Sequence, residues 1–143
     1  MTVGIDLPWT KMINPQLADL QDGKISLKQT PEAIHLNHNG DMHAGVIFSM
    51  LEMAGMGVVV MLLGKKADDS LVLIKNISID FIKPAEGETT FTASLSDDQK
   101  GRILDKIAAK EKIVEIVEVV ALSKDKVEVA SARLTCYIAP KAA

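Results

Sequence analysis

The sequence predicts an α+β fold in which a curved antiparallel sheet wraps one long central helix. Two observations carry this. Residues Ala44–Leu63 form an almost wholly apolar run of 20 residues, and the chain after them changes to a period of two, in strand-length runs joined by short turns. Short turns join antiparallel strands, such a sheet must cover one apolar face, and the 44–63 helix is the element apolar enough to do it. A helix apolar on all sides is one buried on most sides. The 143 residues fit one domain, residues 1–143, with a single sizeable core.

The elements follow in order. Residues 7–23, "LPWTKMINPQLADLQDG", read as a short helix or a pair of turns, with Pro8 and Pro15 suited to first-turn positions and Gly23 to a stop. Residues 24–36, "KISLKQTPEAIHL", are extended and broken near Pro31. The turn-rich "NHNGDMH" feeds the long helix, whose end suits Gly64 and the lysines after it. In "LVLIKNISIDFIKPAEG" the set Leu71, Leu73, Ile77, Ile79 and Phe81 is expected on one face, opposite Asn76, Ser78 and Asp80, with a turn at residues 84–87. "ETTFTASLS" likewise sets Phe91, Ala93 and Leu95 against Thr90, Thr92 and Ser94. "DDQKGRILDKIAAKEK" is a short helix with Asp97 or Asp98 as its N-cap, weakened by Gly101. Residues 112–139 then give two strands around a hairpin turn at "SKDK".

Composition narrows the function classes. A formal charge of −3, with no Lys/Arg cluster interleaved with aromatics, argues against nucleic acid as a partner. Hydrophobic residues at 48% and charged residues at 24% are an ordinary globular balance, and aromatics at 3% leave an aliphatic, Met-rich core. The lone Cys136 excludes an intrachain disulfide and reads as a small buried hydrophobe. "MTVGIDLPWTKM" has no basic segment followed by an apolar one, so a cytoplasmic protein is expected. The 44–63 run has the length of a membrane span, but Glu52 near its middle would cost about 2.5–3.5 kcal/mol at a bilayer centre and no second span shelters it.

That glutamate needs an account. An unpaired carboxylate in an apolar setting takes up a proton, finds a partner or keeps access to water. Ser49 lies one turn back and Gly45 a further turn back, so the face carrying Glu52 is partly a stripe of small residues. It is either a solvent-grazing face or a cleft. The preceding loop, "NHNGDMHAG", adds Asn37, His38, Asn39, His43 and two glycines at a helix start, where unpaired amides at Ala44 and Gly45 can hold a developing oxyanion. Glu52 follows Gly45 by seven positions, roughly 10 Å along a helix, too far for both to act on one carbonyl. If both do act on it, the amides come from one subunit and the carboxylate from another, at a dimer interface.

The order Asn37, Gly40, His43, Ala44-Gly45, Glu52 resembles the signature of the hotdog-fold acyl-CoA thioesterases, in the group that includes phenylacetyl-CoA-type enzymes: Asn-x-x-Gly-x-x-His-Gly-Gly, then an acidic residue on the central helix. The "FIKPAEGE" turn and the final hairpin extend the resemblance over most of the chain after Gly23. It implies a homodimer, or a tetramer, with shared active sites that hydrolyse acyl-CoA or a related thioester. It also implies roles: Asn37 orients water or substrate, the amide of Ala44 or Gly45 polarises the thioester carbonyl, Glu52 is general base or nucleophile, and His43, Ala44, Gly40 and Ser49 line the substrate. His43 looks mainly loop-shaping. Two positions depart from the pattern: Ala44 replaces the first glycine, and Ile74 falls near a place where some members carry a supporting serine.

Two other readings stay open. A non-catalytic module binding acyl-CoA fits the missing serine, and an acyl-thioester hydratase or dehydratase fits His43 with Glu52, although "GDMHAG" lacks the Phe-Pro and Pro-Gly context of those enzymes. No metal and no cofactor is expected: His35, His38 and His43 match no standard zinc spacing, and there is neither a P-loop nor GxGxxG. Met50, Met53, Met56 and Met61 are either core or the lining of an acyl tunnel, and Lys75, Lys83, Lys100 and Arg102 are either solvated or contacts for CoA phosphates.

Overall fold

A computed structural model describes residues 7–142; residues 1–6, part of the stretch read above for a leader, and residue 143 lie outside it. The elements run α1 Pro8–Ile13, β1 Gln16–Gln21, β2 Lys24–Gln29, a 3₁₀ turn Ala33–His35, α2 Ala44–Leu63, a 3₁₀ stretch Gly64–Asp69, β3 Ser70–Phe81, β4 Thr89–Ser94, α3 Asp97–Ala108, β5 Ile113–Ser123 and β6 Glu128–Pro140. The strands form one sheet in the order β1-β2-β4-β5-β6-β3, every neighbouring pair antiparallel. The sheet packs on α2 through β2 to β6. The long apolar helix is therefore the core helix: Met50, Leu51, Ala54 and Val59 are completely buried against Phe91, Val117, Val119 and Leu134. Cys136 is buried among them, as its alternating strand context predicts.

At Gly55 the helix lies close against the sheet. A Cβ there would stand 2.5 Å from Leu134 Cδ2, so this turn of α2 has no room for a side chain.

The structure corrects four local expectations. After α1, Asn14 turns into the left-handed region at φ 58°, and Pro15 leads into β1 instead of a second helical turn. Gly23 (φ 74°) is then the β1–β2 hairpin residue and not a helix stop. Past Pro31 the extended stretch is broken, as expected, by the 3₁₀ turn at Ala33–His35. In β3 the register shifts between Ile74 and Asn76; one extra residue reverses the alternation. Val72 and Ile74 pack inward before the shift and Ile77 and Ile79 after it, leaving Leu71 and Leu73 outside at 40% and 48% exposure. The N-cap of α3 is Ser96, in a capping box with Gln99; Asp97 and Asp98 occupy its first turn.

Candidate active site at the start of the central helix

Residues 37–43 are shaped by Asn37. Its Oδ1 accepts the amides of Asn39 (2.8 Å) and Asp41 (3.1 Å), its N–H donates to Asp41 O (2.8 Å), and its carbonyl accepts Gly40 N–H (3.1 Å). Gly40 sits at φ 82°, a conformation that side-chain-bearing residues avoid. Two backbone bonds then seat the loop: Met42 N–H donates to Ala85 O (2.9 Å), in the turn after β3, and His43 N–H donates to His35 O (2.8 Å).

His43 is the N-cap of α2. Its Nδ1 accepts the Gly45 amide at 2.8 Å, while its carbonyl receives the amides of Val46 and Ile47. Of the two amides proposed for an oxyanion, Gly45's is thus taken by a side chain, whereas Ala44's has no partner among the described residues. Both residues are exposed. Ser49 faces α1: its hydroxyl donates to Gly45 O (2.9 Å) and accepts the Trp9 indole N–H (3.1 Å).

Glu52 lies farther along the same open stripe. Gly45 and Phe48 are exposed, Glu52 and Met56 half-buried, and their spacing of three, four and four keeps them on one side of the helix. Loss of water pushes the Glu52 carboxyl above its ordinary value, and among the described residues no hydrogen bond or cation offsets it. Beneath it is Cys136, whose thiol is pushed up to about 11 by burial first and by the Glu52 charge second. Cys136 pairs across the sheet with Ile74 on one side and Glu115 on the other. Glu115 goes the opposite way: Arg102 Nε donates to it at 2.6 Å and Nη2 at 3.2 Å, holding its carboxyl below the usual range. Of the two acids flanking Cys136, Glu115 is neutralised by a fixed partner, and Glu52 is the one left open.

His35 is buried, with both ring nitrogens in hydrogen bonds, while His38 is exposed in the loop. Three contributors carried no sequence signal: Trp9, which reaches Ser49; Ala85, which holds Met42; and Gln29, which holds His35. Their contacts join residues 40, 43 and 6 positions apart, beyond the reach of local periodicity.

Solved structures share this architecture. A protein of unknown function from Pseudomonas aeruginosa, described as a "Probable Thioesterase", superimposes at TM-score 0.83 with 17% identity, covering 97% of this chain and 91% of that one. A thioesterase from Haemophilus influenzae matches at 0.75 with 13% identity over 95% and 85% of the two chains, and a protein of unknown function from Chlorobaculum tepidum at 0.85 with 12% over 95% and 88%. At these identities the likeness establishes the fold, a hotdog with α2 at its centre. No curated protein matches the chain. The family described as "Domain of unknown function (DUF4442)" matches residues 1–138, and the chain belongs to it.

Proposed function

We propose that this protein hydrolyses acyl thioesters, with acyl-CoA as the substrate class. Glu52 carries the reading. A half-buried carboxylate on an apolar helix, with raised proton affinity and no partner among the described residues, is suited to take a proton from water or to attack a carbonyl itself. The Ala44 N–H, without a partner among the described residues and at the positive end of a 20-residue helix, polarises the thioester carbonyl. Gly45 joins it if substrate displaces the His43 ring, and the Asn37 amide nitrogen orients water or substrate while its oxygen holds the loop. Hotdog neighbours named as thioesterases support the chemistry.

The site is shared between two copies of the chain in this reading. Gly45 and Glu52 stand roughly 10 Å apart on one straight helix, β3 is a 12-residue edge strand with one side unpaired among the described residues, and the Phe48–Glu52–Met56 stripe is not covered by the sheet. That open edge supports a dimer, with a tetramer as a further association; the location in this reading is cytoplasmic, in keeping with a single free, buried thiol.

A non-catalytic acyl-CoA-binding role is the second reading, favoured by Cys136, paired with Ile74, being what stands near Glu52 in place of a polar residue that would orient it. Thiol release from a panel of acyl-CoA esters decides between them. Hydrolysis abolished by Glu52→Gln supports the first; thermal stabilisation by the esters without thiol release supports the second.

A further inference from the structure

We infer that Gln29 and His35, neither of which touches the substrate position, are positioning residues that set the amide end of α2, an inference resting on the site reading above. His35 is 3% exposed and Gln29 completely buried. The ring of His35 accepts the Glu32 amide and the Gln29 Nε2–H at Nδ1, both at 3.0 Å, so its proton resides on Nε2, which donates to Met12 O at 2.6 Å. Gln29 Nε2 also donates to Ile13 O at 3.0 Å. One ring therefore ties β2, the end of α1 and the 3₁₀ turn together. Its own carbonyl receives the His43 N–H at 2.8 Å, and His43 caps Gly45 at 2.8 Å. His35 is thus the covalent and hydrogen-bonded link between a buried anchor and the exposed helix start.

Gln29 argues that this anchor serves geometry more than stability. Its Oε1 is buried without a partner among the described residues. Reversing the amide would bring that oxygen against Ile13 O, so the stranded acceptor belongs to the arrangement. Ile25 and Leu27, which alternate with Gln29 on the same face of β2, are plain apolar residues. An apolar side chain at position 29 would avoid burying an unsatisfied oxygen, yet a glutamine holds His35 there.

The test compares wild type with Gln29→Met, which keeps the volume and removes the donor. Two companions split the ring's functions: His35→Asn keeps an acceptor near Nδ1, and His35→Gln keeps a donor near Nε2. Amide hydrogen exchange, acyl-CoA hydrolysis and melting temperature are measured on each. The expected result for Gln29→Met is a melting temperature within a few degrees of wild type, with exchange at His43 and Gly45 faster by roughly tenfold and the β5–β6 amides unchanged. Its kcat falls about tenfold to hundredfold while KM stays within about threefold. His35→Asn, keeping the acceptor, retains more activity and more protection than His35→Gln. Unchanged exchange at His43 and Gly45 overturns the inference, as does a Gln29→Met protein that fails to fold, which makes the pair a stability element. A wild type without hydrolysis would sink the thioesterase reading alone, because the exchange comparison still decides this one.

Discussion

His43 Nδ1 holds the Gly45 amide at 2.8 Å, so among the described residues the helix start is left with one unengaged N–H, that of Ala44. Ala44 is the first residue of α2, where proline is tolerated, and His43 has φ −59° and ψ 139°, which suits a residue preceding proline. Ala44→Pro therefore deletes the donor without breaking the helix. Hydrolysis is expected to fall about 10²–10³-fold, the usual loss for one oxyanion donor, with the melting temperature maintained. Retained turnover would transfer the role to Gly45.

Glu52 gives a pH-dependent stability prediction. Burial raises its folded proton affinity above the unfolded value near 4.5, so between those two values the folded state binds more protons and stability falls as pH rises. Glu52→Gln is expected to melt above wild type at pH 7, with the advantage vanishing below pH 4.5. For the same reason hydrolysis by the wild type rises with pH through the raised value, since the base acts ionised. Wild-type and Glu52→Gln melting temperatures that run parallel across roughly pH 4–8, or hydrolysis that does not rise with pH, would contradict this.

Gly55 reports on the close approach of α2 to β6. Gly55→Ala gains about 1 kcal/mol of helix propensity, but its methyl group meets Leu134 Cδ2 at 2.5 Å and Val119 Cγ2 at 3.3 Å, both in side chains that are fully buried. Overpacking of this kind costs about 1–3 kcal/mol, so a net loss in denaturant unfolding is expected. Leu134→Val, which shortens the offending branch, is expected to reduce the added cost of the alanine when the two are combined.

The central helix and the final hairpin were legible because single rules govern them: an apolar run too long for a strand, and alternation interrupted by "SKDK". In β3 the alternation was read correctly on each side of Lys75 and wrongly across it, because a bulge leaves no mark in residue type. β1 was lost for a different reason. All six of its residues are exposed, so no buried face imposes a period of two on "QLADLQ". In the candidate site, Asn37, Gly40, His43, Ala44, Gly45 and Glu52 stand out in one segment through their order and the family resemblance it carries. Their bonding could not: which amide His43 occupies depends on a ring orientation, and the Gln29–His35–Met12 anchor joins three elements with no shared motif.

The most direct measurement of the shared site is complementation between two inactive proteins. Glu52→Gln and Ala44→Pro chains are co-expressed with distinguishable tags, and acyl-CoA hydrolysis of the mixed dimer is compared with each parent. In a two-fold dimer that builds each site from both chains, a mixed pair carries one site with both defects and one with neither, so the mixed dimer, isolated by its two tags, recovers about half of wild-type activity. Recovery near that level is the result expected; a mixed dimer as inactive as its parents would contradict an active site in which Glu52 faces the Ala44 amide of a second chain.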